Sequence, residues 1–312
     1  ADGISATFYD AGHILGSAAI ALDLQENGQG RRVLFSGDIG YSGRPIVQDP
    51  APPPESDIVV METTYGDRLH KELQPSVEEL YDAIGSTLKR CGNILIPSFA
   101  LERTQEILYY LREGIDQGVL PKNMQVFLDS PMAISATQIF RRHPECFDEE
   151  AFRIFRSGQD PFALPGLHFT RETADSMAIN NFRGGAVIIA GSGMCTGGRI
   201  RHHLKHNLWR EETGVVFVGY AAQGTLARRI IDGEKTVRIL GDEISVRARI
   251  HTIGGFSAHA DQKELLAWHR QTGRPATTFL VHGEEKVMAT FAGLLAGTRV
   301  EMPDLHQVYD LG

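Results

Sequence analysis

Five short stretches of this sequence set metal-ligand or acid–base side chains among residues too small to crowd them. "AGHILGSA" carries His13, "FSGDIG" Asp38, "METTYGDR" Glu62, "GFSAHADQ" His259 and "LVHGE" His282. Three imidazoles and two carboxylates are donor types that suit a borderline divalent cation such as zinc. Small neighbours fit that chemistry, because a backbone that approaches an ion closely needs dihedrals that glycine accepts most readily. Taken singly, each stretch also has a structural reading. A strand-end histidine can be a hydrogen-bonded core residue, and "SGD" can be a turn in which Asp38 holds its own backbone. "HGE" suits a helix start, with Glu284 near the positive end of the dipole.

A second group has phosphate-binding chemistry. "SFALERTQ" and "DSPMA" supply Ser98, Arg103 and Ser130, and the loop "GSGMCTGGR" supplies Ser192, Gly193, Thr196 and Arg199. A Gly-rich loop that opens a helix presents free backbone N–H groups to an anion. Helix capping and loop closure are the competing roles for each of these residues. Without a run of aromatics there is no base-stacking platform, so contact with the backbone of a nucleic acid is expected over base reading. "RHHLKH" (His202, His203, His206) reads as a solvated basic helical face.

The elements that must position these side chains fall into two styles. In the opening, "SATFYDAG", "AAIALDL", "RVLFSGD" and "DIVVMET" read as strands. The proline-rich "QDPAPPPES", residues 48–56, interrupts them and cannot continue a helix or central strand. From residue 75 the period changes. "PSVEELYDAIGSTLKRCG" spaces Val77, Leu80, Ile84 and Leu88 as a helix, with Ser76 and Glu79 as a capping box and Gly92 as the stop. Then "NILIP", "QVFLD", "AVIIA" and "VVFVG" each lead through a polar or Gly-rich loop into a helix. That alternation predicts a parallel sheet flanked by helices, with ligands at the carboxyl ends of its strands. "ISVRARIHT" alternates every second residue and is expected to be one half-buried antiparallel strand. A helix over "QKELLAWHRQ" and strands over "ATTFLVHG" and "TRVEM" follow.

Bulk properties bound the class. The 312 residues are 42% hydrophobic and 22% charged, as in a globular protein with a sizeable core. The net charge of −8 argues against a surface that coats nucleic acid, while leaving room for a local basic groove. Three cysteines without a Cys-x-x-Cys fit a reducing, cytoplasmic setting, and no apolar run approaches the ~18 residues of a membrane span.

Together and in this order, "DAGHILGSA", "FSGDIG", "METTYGD", "GMCTGGR", "GFSAHADQ" and "LVHGE" resemble the metallo-β-lactamase superfamily, and within it the β-CASP nucleases that process RNA. The resemblance implies an α/β fold: part of a metallo-β-lactamase αββα sandwich over residues 1–64, an inserted β-CASP domain over 65–233 and a returning segment over 234–312. It implies two divalent ions, zinc foremost, with His13 on one, Asp38 bridging both and His282 on the second. His259 would protonate the departing oxygen, with Glu62 orienting it. DNA-directed relatives lack a histidine at the position of His282, which points to RNA as partner. Two metal ions acidify a water and clamp the phosphate, and a histidine holds and releases a proton near neutral pH.

The family's His-x-His-x-Asp-His loop has no counterpart, since the chain contains no His-x-His. The chain opens on "ADGISATFYD", which reads as a cut edge, so residues upstream are expected to be missing. With half of the metal ligands absent, these 312 residues are expected to bind metal weakly or not at all and to leave RNA uncut. A non-catalytic RNA-binding or scaffolding relative is the alternative. A small-molecule hydrolase is disfavoured by the inserted domain and the Glu62/His259 pair. The oligomeric state is left open, with a homodimer as the candidate.

Overall fold

The computed structural model describes residues 3–26 and 28–310. Along the chain run β1 (Ile4–Asp10), β2 (Ala18–Glu26), β3 (Gln29–Phe35), β4 (Ile58–Glu62), α1 (Leu73–Lys89), β5 (Ile94–Pro97) and α2 (Arg103–Asp116). There follow β6 (Gln125–Leu128), α3 (Pro131–Arg142), α4 (Glu149–Arg156), β7 (Leu167–Phe169), α5 (Thr173–Ala178), β8 (Ala186–Ala190), α6 (Ile200–Asn207), β9 (Gly214–Val218) and α7 (Leu226–Ile231). The last are β10 (Thr236–Ile239), β11 (Asp242–Ser245), β12 (Arg249–Ile253), α8 (Gln262–Gln271), β13 (Thr277–Val281), α9 (Glu285–Ala292) and β14 (Arg299–Glu301).

Two compact units result. One comprises the residues up to His70 together with those from Ala258 onward. Its sheet runs β1-β2-β3-β4-β13-β14, antiparallel from β1 to β3 and parallel from β3 to β14. One face buries Ala19, Ala21, Leu34, Val59, Met61 and Leu280 beneath Leu265 and Trp268 of α8 and Phe291 of α9. On the other face Val33, Ile58 and Phe279 pack with Tyr309 from the chain's end, whereas Phe8 stays 67% exposed and Phe35 40%. Among the described residues this sheet and its one helical layer are what the unit shows of the expected sandwich.

The other unit runs from Lys71 to Ser257. Its six-stranded sheet, β12-β9-β5-β8-β6-β7, is parallel throughout. Strands β5 and β8 are buried along their whole length, as expected for a parallel sheet covered on both faces.

Three expectations are corrected. The run 244–252 is two strands: β11 pairs antiparallel with β10, and β12 joins the parallel sheet beside β9. Between them the N–H groups of Arg247 and Ala248 both donate to the Leu208 carbonyl, which ends one strand before the next begins. An alternating pattern reports a half-buried face but carries no information on partner or direction. Both strands lie in the compact unit that runs from Lys71 to Ser257. Secondly, α1 starts at Leu73, and Ser76 lies inside it, donating from Oγ to the Glu72 carbonyl instead of capping. Pro75 sits in the first turn, where a missing N–H costs nothing. Thirdly, α6 is not wholly a solvated basic face, because His203 is buried against Asp129.

Candidate functional site

All five residues of the first group lie in the unit built from the chain's two ends, at the carboxyl ends of its strands or in the loop before α8. His13 follows β1 in a turn whose hydroxyl staple is Ser17: Oγ accepts from the N–H groups of His13 (3.0 Å) and Ile14 (3.2 Å). Gly12 has a φ of +66°, and a Cβ on Gly40 would stand 2.0 Å from the Gly12 carbonyl oxygen. The glycines thus serve the contact between the His13 and Asp38 loops, closed by a Gly40 N–H to Ala11 carbonyl bond of 2.7 Å.

Asp38 follows β3, and Glu62 is the last residue of β4. The His259 loop is strapped to the Asp38 loop, Ala260 N–H donating to the Ile39 carbonyl (2.7 Å) and Tyr41 N–H to the Ala258 carbonyl (3.0 Å). His282 follows β13 with a φ of +49°, and Thr64 Oγ1 lies 3.1 Å from its Nδ1 and 3.2 Å from its carbonyl.

The two Asp38 oxygens face two different imidazoles. Oδ2 is 3.9 Å from His13 Nε2, and Oδ1 is 3.5 Å from His282 Nδ1. Both gaps exceed a good hydrogen bond, as for donors arranged about a common centre. Single ligand atoms of His13, Asp38 and His259 lie within 4.8 Å of one another, and so do those of Glu62, His259 and His282. The rings of His13 and His259 are 4.2 Å apart and those of His259 and His282 5.7 Å. This nitrogen and oxygen donor set fits a divalent ion of the zinc type.

Glu62 is 1% exposed, and both its oxygens lie near His259 Nδ1, at 2.9 and 3.1 Å. Burial opposes its ionisation, but the bonds from His259, Thr64 and Ile39 outweigh that and hold the carboxyl below its usual range. His13 has its pKa lowered, first by burial and then by His259, against Asp38 and Glu62; a neutral imidazole is the form that ligates. Ser17 and Thr64 hold the His13 turn and the His282 ring, roles for which the sequence signal is a small hydroxyl residue in a motif that carries a ligand side chain.

The second group lies at the carboxyl ends of β5, β6 and β8, three neighbours in the other unit's sheet. Ser98 is buried and accepts from Thr104 Oγ1 at 3.1 Å. Arg103 is ion-paired with Glu106, its guanidinium 5.7 Å from the Phe256 ring. Ser130 caps α3, Ser192 Oγ accepts from Gly197 N–H, and the Phe99 ring lies on Gly193. Arg199 donates to Asp129 and to the carbonyls of Thr170 and Arg171. Thr196 is exposed. No helix among the described residues is long and apolar enough to cross a membrane.

Residues 104–230 match the Beta-Casp domain, and residues 243–303 match the Zn-dependent metallo-hydrolase RNA specificity domain. Ribonuclease TTHA0252 of Thermus thermophilus is 43% identical over 293 residues, covering 94% of this chain and 66% of that protein. Transcription termination factor FttA of Methanocaldococcus jannaschii is 33% identical over 299 residues, covering 93% and 46%. The same-named protein of Methanothermobacter thermautotrophicus is 34% identical over 293 residues, covering 90% and 45%. The chain thus spans from under half to just under two thirds of the length of these relatives.

Proposed function

Because the chain belongs to the β-CASP group of the metallo-β-lactamase superfamily, we propose that it is the metal-dependent hydrolytic part of a ribonuclease. His13, Asp38 and His282 would hold two divalent ions, zinc being the natural choice for this donor set, with one Asp38 oxygen toward each histidine. Such ions, when bound, supply an acidified water and neutralise phosphoryl charge. The chain's own residues supply the rest. Buried, anionic Glu62 accepts from His259 Nδ1–H, and the doubly protonated ring gives its second proton, from Nε2, to the departing RNA oxygen and is left neutral. At the β5–β6–β8 edge, Thr196 is exposed for substrate contact, while Arg103 and Arg199 act by holding their loops.

The observation that carries this reading is the placement of two imidazoles on opposite oxygens of one aspartate, beside a buried Glu–His pair. His13, Asp38 and His282 are few ligands for two ions, so these 312 residues by themselves bind zinc weakly and do not cut RNA. The test is zinc analysis and RNA cleavage on the natural full-length protein, stripped of metal and reloaded, with Asp38→Ala beside it. Reloading restores cleavage, and Asp38→Ala loses both zinc and cleavage. Equal cutting by the stripped protein or by Asp38→Ala overturns the proposal. RNA bound but left intact by the loaded protein selects a non-catalytic relative instead.

A further inference from the structure

The histidine proposed as proton donor is held at its ring by Glu62, and the two carboxylate oxygens at 2.9 and 3.1 Å share one Nδ1. A bond shared in that way tolerates sliding of the ring along the carboxylate, so the main chain of residue 259 must fix where the imidazole stands. The carbonyl of residue 258 and the N–H of residue 260 both turn toward the Asp38 loop. By strand alternation the carbonyl of residue 259 points the other way. There it accepts from His70 Nε2 at 3.0 Å.

His70 is itself fixed on several sides. Its N–H donates to Asp261 Oδ2 (3.2 Å), while Asp261 Oδ1 caps α8 through Glu264 N–H. The ring meets Tyr65 edge-on at 4.5 Å and Tyr41 at 5.2 Å, and Tyr65 is also 6.2 Å from the His259 ring. The turn before it is laced to the start of α8, Gln262 N–H donating to the Arg68 carbonyl and Gln262 Nε2 to that of Gly66.

We infer that His70 is a positioning residue for RNA cleavage: its Nε2–H grips the His259 carbonyl and so sets the reach of the proton-donating imidazole. This rests on the ribonuclease reading above. His70 is not one of the clustered donors and meets His259 at its main chain, so its effect is expected at the step that needs a proton on the leaving oxygen. Displacement of a catalytic group by about an ångström costs up to roughly a hundredfold in rate.

The experiment uses the zinc-loaded natural protein and two substitutions. His70→Phe keeps the ring's bulk between the tyrosines and removes the donor; His70→Gln puts an N–H where Nε2 stood. With RNA, His70→Phe lowers kcat about tenfold to a hundredfold at nearly unchanged KM, and His70→Gln recovers most of it. With bis(4-nitrophenyl) phosphate, whose leaving oxygen needs no proton, His70→Phe stays near the unsubstituted rate. Unaltered RNA cleavage by His70→Phe, a parallel loss on both substrates, or no recovery in His70→Gln overturns the inference while leaving the ribonuclease reading in place. An unsubstituted protein that cuts neither substrate overturns both.

Discussion

Among the described residues, one fully buried carboxylate at a strand end bonds an imidazole in each of the two units. Glu62 closes β4 and bonds His259; Asp129 directly follows β6 and bonds His203 Nε2 at 2.6 Å. Both carboxylates are sealed from water, and both have pKa values pulled below the ordinary range against the opposing effect of burial. Asp129 owes this to His203, Ser176 and Arg199, which occupy both its oxygens. The pairs differ in what lies beyond the imidazole. His203 is 1% exposed and its Nδ1 is buried without a partner, so nothing can reach it. His259 lies beside the rings of His13 and His282, and His282 keeps 56% of its side chain in solvent. A buried carboxylate under a histidine is therefore not in itself a mark of catalysis. It fastens loops in one unit, and it becomes a candidate for proton transfer where the imidazole opens onto other donors.

Substitutions can break this contrast. In the zinc-loaded natural protein the largest effect is expected for His259→Ala: RNA cleavage falls by about 10²- to 10⁴-fold while the thermal midpoint moves little. A comparable loss of cleavage per folded molecule in His203→Ala would erase the distinction. Next comes Asp129→Asn, which leaves the Arg199 guanidinium and His203 without their counter-charge and destabilises by about 3 kcal/mol. Thermal unfolding should show a midpoint lower by roughly 10 °C, with cleavage by the remaining folded protein within about tenfold. Loss of activity at an unchanged midpoint would make Asp129 catalytic instead.

Smaller effects sharpen the comparison. Thr64→Val removes the hydroxyl beside His282 and should weaken zinc binding about tenfold in a competition titration. Unchanged affinity would mean that the backbone alone sets that ring. The least effect is the acid response. Since the folded pKa of Asp129 is depressed, its stabilisation is complete above about pH 4 and is lost as the pH falls through the folded value. Asp129→Asn should flatten the fall of stability in that window, as read by urea unfolding at stepped pH.

Much of the fold was legible because apolar period and glycine placement are local. The strands "NILIP" and "AVIIA" and the helix at "QKELLAWHRQ" appear where their patterns place them. The single strand expected over 244–252 failed for a non-local reason, since the Leu208 carbonyl captures two N–H groups in its middle. His70 was missed because its partner is a backbone atom 189 residues away, and main-chain acceptors leave no signature in residue type. The charge of Arg199 is visible in the sequence and its counter-charge on Asp129, 70 positions away, is not, whereas Arg103 has its partner Glu106 three residues on.

By itself the sequence determined the chemical inventory: which side chains are able to ligate or carry protons, and which small residues let their loops come close. Only the tertiary structure decided that His13 and His282 take opposite oxygens of Asp38, and that Glu62–His259 opens outward while Asp129–His203 is shut. The physical reason is range. Propensity and period act over a few neighbours, whereas ligation, proton transfer and desolvation are set by distances of a few ångströms between residues that the chain holds far apart.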